Sequence, residues 1–344
     1  MKRYNQSAAV IGMGGISSVH VKSLQTLGVP ITAICDNKPD RAKVAHDELG
    51  CAYFTDYNEM LKAGGFDVLH ICLPHYLHAT VAVAALLAGY HVVCEKPMAT
   101  TVEDAHKMLA AVKTSGKELE IVFQNRYNAT SQAVKAVLDA GALGKVTGGW
   151  LQVTWHRTES YYSQSDWRGH WATEGGGVLI NQSIHTFDLM NFFLGAPESV
   201  SGSVANRAHP SIEVEDMAEG VIMYGDVPIS FFVNNYHPYD APVRLEVVCE
   251  NGRATIDGDM ATVTYADGRV EKYSNDDNVP DLQGKAYWGY SHVKQFEAFY
   301  DVLNGKAASR VCGLEGMRTQ QLINGIYEAA KTVDVIFGKS DHLS

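Results

Sequence analysis

The sequence predicts an α/β chain in two parts. The first is a doubly wound parallel sheet of the Rossmann type. The second is an α+β half built on a large, mostly antiparallel open sheet. Three observations predict this. Short apolar runs alternate with helix-like segments from Ala8 to Phe123, and repeated βα units require parallel strands joined by right-handed crossovers. A glycine-rich turn, Gly12-Met13-Gly14-Gly15-Ile16-Ser17, follows the first apolar run. Beyond Lys145 the pattern changes to strand-length runs with the turn signals Asn251-Gly252 and Asp267-Gly268, which build hairpins. The break falls near Asn125, dividing the chain into residues 1–124 and 125–344.

Composition agrees with two domains. The 344 residues suit two units of about 150 residues. A hydrophobic content of 46% and a charged content of 19% are those of an ordinary globular protein. Net charge is −11 and no Lys/Arg-rich run occurs, which argues against nucleic acid or an anionic membrane as partner. None of the cysteines forms a C-x-x-C pair, and Cys35, Cys72 and Cys94 lie in or just after apolar runs. There the thiol acts as a small buried hydrophobe, which points to a reducing cytoplasm. The apolar run Ala8–Ile11 is too short for a signal core. The stretch from Thr80 to Cys94 is broken by Gly89-Tyr90-His91, so it reads as helix, turn and strand, not as a membrane span.

Each element of the first half has a local reason. Ala8–Ile11 is a strand, and a helix follows from about Ser18 to Leu27. Gly12 permits the tight turn between them. Gly14 lets backbone N–H groups approach a pyrophosphate at the helix N-terminus. Ser17 is small enough for helix to pack on strand. The next strand, Ile31–Cys35, ends in Asp36, whose carboxylate suits a ribose diol and would repel a 2′-phosphate. Strand, glycine turn, helix and acid at this distance specify a dinucleotide site, with NAD preferred over NADP. Asn37 and Arg41 flank the same strand end. Helices follow at Pro39–Leu49, at Tyr57–Lys62 behind the cap candidates Thr55 and Asp56, at His78–Ala88, and at Thr101–Ser115 behind a Thr101/Asp104 capping pair. Strands are Asp67–Leu73, His91–Cys94 and Glu120–Phe123.

The loops after these strands carry Cys72-Leu73-Pro74-His75 with His78, Glu95-Lys96-Pro97, and Gln124-Asn125-Arg126-Tyr127. They should meet at the carboxyl edge of the sheet, where such folds bind ligands. Together with Met13, Gly15 and Ile16 they are the expected cofactor contacts. His75 and His78 have the spacing of metal ligands but no matching third ligand, so no metal is expected. His20 reads as a structural residue of the first helix.

The second half opens with a helix at Thr130–Ala140. Strands are expected at 146–155, 200–205, 217–224, 229–233, 243–249, 254–256, 262–265 and 270–273, and helices at His292–Leu303 and Leu314–Phe337. Two constellations interrupt the strands. One is Asp166-Trp167-Arg168 with His170 and Trp171. The other runs from Gly175-Gly176-Gly177 to Asp188. Three glycines imply an unusual backbone or the close approach of something else, a ligand included. Asn181, His185 and Asp188 recur at i, i+4 and i+7 and would share one face of a helix. Such a stripe is costly to bury unless partnered; it is either a ligand-facing set or a helix-end hydrogen-bond network.

The glycine turn, Pro74 to His78, Glu95-Lys96-Pro97, Asn125-Arg126-Tyr127, Gly175 to Asp188 and Gly289-Tyr290-Ser291-His292 together resemble the glucose–fructose oxidoreductase / inositol dehydrogenase family, also written Gfo/Idh/MocA. The resemblance implies a tightly held NAD or NADP, a sugar or polyol substrate, and homodimers or homotetramers built through the open sheet. This chain has His75 where the family often has Asn, and Asn181 where many members have Asp. The implied reaction is hydride transfer between a secondary alcohol and the nicotinamide. His185 is assigned as general base or acid, Lys96 as electrostatic stabiliser and hydrogen-bond donor, and Asn181 as substrate holder. Activity should then rise with pH through a histidine-like pKa. Tyr127, Trp167, Arg168 and Tyr287 could wall the sugar pocket. Two other readings keep the same cofactor site: an NAD-dependent glycosidase using transient oxidation, and a sugar sensor without turnover.

Overall fold

The computed structural model describes residues 4–275, 291–307 and 313–331. Strands β1 (Ala8–Ile11), β2 (Ile31–Cys35), β3 (Ala52–Phe54), β4 (Val68–Ile71), β5 (His91–Cys94) and β6 (Leu119–Ile121) form a parallel sheet in the order β3-β2-β1-β4-β5-β6. Helices α1 (Ser17–Leu27), α2 (Pro39–Leu49), α3 (Tyr57–Ala63), α4 (His75–Leu87) and α5 (Val102–Ser115) make the crossovers. The strand order reverses between β1 and β4, so the carboxyl ends of these two strands flank a crevice. β1 and β4 are buried along their whole length, as strands covered on both faces must be. β3 was not anticipated; it has three residues, is an edge strand and lies half in solvent. The expected caps form. The Asp56 carboxylate accepts from the Asn58 N–H at 2.7 Å, and Thr101 Oγ1 accepts from the Asp104 N–H at 3.1 Å.

A 3-10 turn at Gln124–Tyr127 leads into α6 (Ala129–Asp139), β7 (Val146–Thr154) and the short α7 (Glu159–Ser163). A π-type turn at Val178–Gln182 precedes α8 (Ile184–Leu194). Then come β8 (Ser199–Ala205), β9 (Met217–Tyr224), β10 (Val227–Asn234), β11 (Arg244–Cys249), β12 (Gly252–Asp257), β13 (Met260–Tyr265), β14 (Val270–Ser274), α9 (His292–Leu303) and α10 (Gly313–Ala329). The second sheet has the order β14-β13-β12-β11-β7-β10-β9-β8, antiparallel except for the β10–β7 pair. Leu151, Val153, Ile229, Phe231, Val233, Leu245 and Val247 face the helices and are buried. The expected helix to Phe337 ends at Ala329, and residues from 332 onward lie outside the described residues.

One packing arrangement cuts across chain order. α9 lies on α1, and its Phe296, Phe299 and Tyr300 share a core with Tyr4, Val10, Leu24 and Ile34 of the parallel-sheet half. The chain therefore returns to its first half after completing the second sheet.

Candidate active site

Gly12 has φ +85°, and a Cβ there would lie 2.5 Å from the Cys72 carbonyl oxygen. Only glycine allows the turn to sit this close to the end of β4. At Gly14 and Gly15 an added Cβ would meet no protein atom within 4 Å, so the room they leave faces outward. Asp36 is buried, and its two oxygens accept from the Met13 and Lys38 N–H groups, each at 2.8 Å. The acid at the end of β2 is thereby tied to the glycine turn, while Asn37 and Arg41 beside it are exposed. A groove of about 560 Å³ runs from Met13 and Gly14 along the surface between α1 and α2, past Val21, Gln25, Val44 and Leu49. At the end of β6, Gln124 Oε1 and both amide atoms of Asn125 are buried without a hydrogen-bond partner among the described residues. A dinucleotide, with phosphates for the glycine turn and polar groups for stranded amides, fits these features.

The three strand-end loops do meet. Lys96 is held across the cleft by Asn181: its Nζ donates to the Asn181 backbone oxygen at 2.8 Å and to Oδ1 at 3.1 Å. With Oδ1 facing Lys96, the Asn181 Nδ2 donates to Glu174 Oε1 at 2.6 Å. The other Glu174 oxygen accepts from the Gly169 N–H. Glu174 is fully buried and was not singled out from the sequence. The signal available was chemical: Asn181 carries no charge, so a lysine in the cleft calls for a carboxylate elsewhere, and Glu174 directly precedes the triple glycine. Tyr161 was missed as well; its hydroxyl accepts from Gln182 Nε2 at 3.1 Å and from Asn181 Nδ2 at 3.4 Å.

Burial pushes the Lys96 ammonium down to about 8, with Arg168 and Arg157 adding to the effect and Glu95 and Glu174 opposing it. Burial, and then the Lys96 charge, push His185 down to about 3. The imidazole is therefore neutral throughout the working range. Its Nδ1 is buried without a partner among the described residues, and its ring meets Phe123 edge-on at 5.9 Å between centroids.

Several expectations need correction. The Asn181–His185–Asp188 stripe is not one helical face, because the π-type turn ends before α8 begins. Asp188 points away into the core, where Arg126 grips it with Nε and Nη2 at 2.7 and 2.8 Å and Thr319 donates at 2.8 Å. Glu315 takes the remaining side of the Arg126 guanidinium. The triple glycine makes room for protein, not ligand. A Cβ at Gly175 would strike Thr100, one at Gly176 the Tyr327 hydroxyl, and one at Gly177 the Glu215 carbonyl oxygen. The Glu215 carboxylate then accepts from the Gly177 and Leu179 N–H groups and from Tyr327.

Two expected cofactor contacts serve the interior. Glu95 turns inward to His20 Nε2 at 3.0 Å. His20 reaches His70 at 3.0 Å, and His70 reaches the Tyr300 hydroxyl at 3.1 Å. Burial opposes ionisation of Glu95, but His20, His292 and Lys96 outweigh it and hold the carboxyl at about 2. His78 is fully buried, with Nδ1 2.7 Å from the Pro97 oxygen and Nε2 2.8 Å from the Leu73 oxygen, so it braces two of the loops. His75 Nδ1 meets the Glu174 backbone oxygen at 2.8 Å, and its ring packs on Trp167. Tyr127 is the last residue of the 3-10 turn and is buried. Tyr287, Gly289 and Tyr290 lie outside the described residues. Among the described residues no group of three or more His, Cys, Asp or Glu could hold a metal.

Comparison with known proteins agrees with this geometry. A family model described as "Oxidoreductase family, NAD-binding Rossmann fold" matches residues 7–123, and one described as "GFO/IDH/MocA C-terminal domain" matches residues 131–255. The chain is 26% identical to the D-glucoside 3-dehydrogenase of Escherichia coli, covering 94% of this chain and 95% of that protein. It is 26% identical to the scyllo-inositol 2-dehydrogenase (NAD(+)) of Bacillus subtilis, covering 82% of each. Among solved structures, the WlbA dehydrogenase of Bordetella pertussis in complex with NADH and UDP-GlcNAcA superposes with a TM-score of 0.83 at 29% identity, covering 95% of this chain and 96% of that one. With both halves matched and the strand-end loops converging as their motifs require, the chain belongs to the Gfo/Idh/MocA family of oxidoreductases.

Proposed function

We propose that the protein is an NAD-dependent oxidoreductase that interconverts a secondary alcohol and a ketone on a sugar or polyol. The observation that carries this reading is Lys96 fixed by Asn181 at the carboxyl edge of the parallel sheet, beside a neutral His185 whose Nδ1 has no hydrogen-bond partner among the described residues. The relatives named D-glucoside 3-dehydrogenase and scyllo-inositol 2-dehydrogenase (NAD(+)) support it.

When bound, NAD would supply the hydride acceptor. Gly12 to Ile16 and Asp36 would hold the pyrophosphate and adenosine ribose, and Gln124 and Asn125 offer stranded amides to the far end. This chain's residues manage the proton and the charge. Neutral His185 can take the hydroxyl proton, and the Lys96 ammonium can stabilise the alkoxide as it forms. Asn181 aims Lys96, and Glu174 aims Asn181. Trp167 and Arg168 stand on the substrate side.

The division at residues 124 and 125, a cytoplasmic location and a homo-oligomer belong to the same reading. Buried, unpaired Cys35, Cys51, Cys72, Cys94 and Cys249 support a reducing compartment. No helix among the described residues is long and apolar enough to cross a membrane.

The test is a screen of free, phosphorylated and nucleotide-linked sugars and inositols for NADH formation, with Lys96→Met alongside. One or more should yield NADH, and Lys96→Met should fold, bind NAD and lose about 10²–10³ in kcat. Near-normal turnover in the folded variant would make Lys96 a mere strand-end charge.

A further inference from the structure

Arg168 sits in the strap between α7 and the triple glycine, and its environment is unusual for a cation. Its guanidinium carbon lies 4.6 Å from the centre of the Tyr161 ring and 4.9 Å from that of Trp167. Its Nε is buried with no hydrogen-bond partner among the described residues. Both flanking rings border the cleft. Trp167 packs on His75 at 4.7 Å between centroids, and the Tyr161 hydroxyl contacts Asn181, which holds Lys96.

The neighbouring carboxylates are committed. Glu174 gives one oxygen to Asn181 and the other to the Gly169 N–H. Asp240 pairs with Arg157, and Glu213 with His170. Among the described residues the charges acting on Lys96 are the carboxylates Glu95 and Glu174 and the cations Arg168 and Arg157. Glu95 is turned to His20, Arg157 to Asp240 and Glu174 to Asn181 and the Gly169 N–H, which leaves Arg168 as the cation without a carboxylate partner among the described residues. Stranding a guanidinium nitrogen away from water is costly unless something else completes it. Stacking uses the faces of the guanidinium and leaves its N–H edge, a fork shaped for the paired oxygens of a planar anion.

We propose that the substrate is an anionic sugar or polyol, bearing a carboxylate or phosphate, and that Arg168 is the specificity-determining residue that receives this group. The inference rests on the dehydrogenase reading above and names the substrate class of that same site. Lys96 and His185 act on the hydroxyl that is oxidised, and Arg168 fixes the far end of the molecule, which sets which hydroxyl faces them.

The test uses the full chain loaded with NADH, so that no turnover follows, and calorimetric titration with matched pairs: glucuronate and glucose, galacturonate and galactose, gluconate and sorbitol, glucose 6-phosphate and glucose. In at least one pair the anion should bind tenfold or more tightly than its neutral parent, and Arg168→Gln should bring that ratio to within about twofold. A preference confined to uronate or aldonate assigns a carboxylate, and one confined to the phosphate pair assigns a phosphate. Arg168→Lys keeps the charge without the fork and should lower the ratio at least threefold, which keeps the test decisive if Arg168→Gln does not fold. Equal binding within every pair, binding of no member, or a preference that survives in the Arg168 variants overturns the inference. The two readings fail separately. Oxidation of neutral sugars with no anion preference removes the anion site and leaves the dehydrogenase. Arg168-dependent anion binding with no NADH formed from any sugar and NAD removes the dehydrogenase and leaves the anion site.

Discussion

Lys96 and His185 face the same burial with opposite consequences. Burial and the cations Arg168 and Arg157 lower Lys96 to about 8, with Glu95 and Glu174 resisting. Burial and the Lys96 charge lower His185 to about 3. Near neutral pH the lysine is charged and the imidazole neutral, so the imidazole is free to accept a proton but holds it weakly. His185 is already deprotonated, so kcat/KM should show no rising limb at an ordinary histidine pKa, contrary to the expectation from sequence. It should fall as pH rises through about 8, where Lys96 loses its proton. Glu174→Gln removes an anion that holds this pKa up, so the falling limb should move to lower pH. KM should also rise, because a glutamine cannot accept from both Asn181 and the Gly169 N–H with its two terminal atoms. Profiles of the wild type and Glu174→Gln on one identified sugar check both points. A rate that climbs through pH 8 would make neutral Lys96 the base.

The element that decides the site is the irregular passage from the triple glycine into α8. Glu215, itself held by the Tyr327 hydroxyl, clamps the Gly177 and Leu179 N–H groups, the π-type turn swings Asn181 toward Lys96, and α8 then starts afresh at Ile184. α8 is anchored by Asp188 through a two-pronged ion pair with Arg126 and a hydrogen bond from Thr319 on α10. Breaking a buried pair by removing one partner commonly costs about 3–5 kcal/mol. Asp188→Ala should therefore lower unfolding stability by about 2–4 kcal/mol, toward or under the lower end of that range because Glu315 still pairs with Arg126. Urea unfolding measures it, and a loss under about 1 kcal/mol would show that Asp188 is not the anchor.

At the scale of the whole molecule, the second sheet has one face under α6, α8 and α10 and another left open. Phe231 points inward and is buried, whereas its neighbour Phe232 points outward and is only partly covered. Trp150, Val221 and Met223 share that outer face and are likewise half-buried. An extended, partly apolar sheet face is the surface on which a second copy would dock, with the net charge of −11 acting against association. The protein should run as a dimer or tetramer by size exclusion with light scattering, and Phe232→Arg should weaken the assembly while the chain stays folded. A monomer at micromolar concentration would exclude the sheet-to-sheet interface.

The sequence by itself determined the periodic and the local. Alternation between periods of 2 and 3.6, broken by glycine, proline and capping residues, located the strands of the second sheet to within about two residues. It also placed Gly12, Asp36, Lys96 and Asn125 at strand ends, because these signals depend on residues a few positions apart. β3 escaped because three half-exposed edge residues have no period to display. What joins residues far apart in the chain was decided by tertiary structure. Lys96 meets Asn181 85 positions away, Arg126 meets Asp188 62 away, and Tyr327 reaches Glu215 112 away. The same holds for the return of α9 to the first core and for the glycines that yield to Thr100, Tyr327 and Glu215. Hydrogen bonds and close packing act within a few ångströms, and only the folded chain brings such distant groups within that reach.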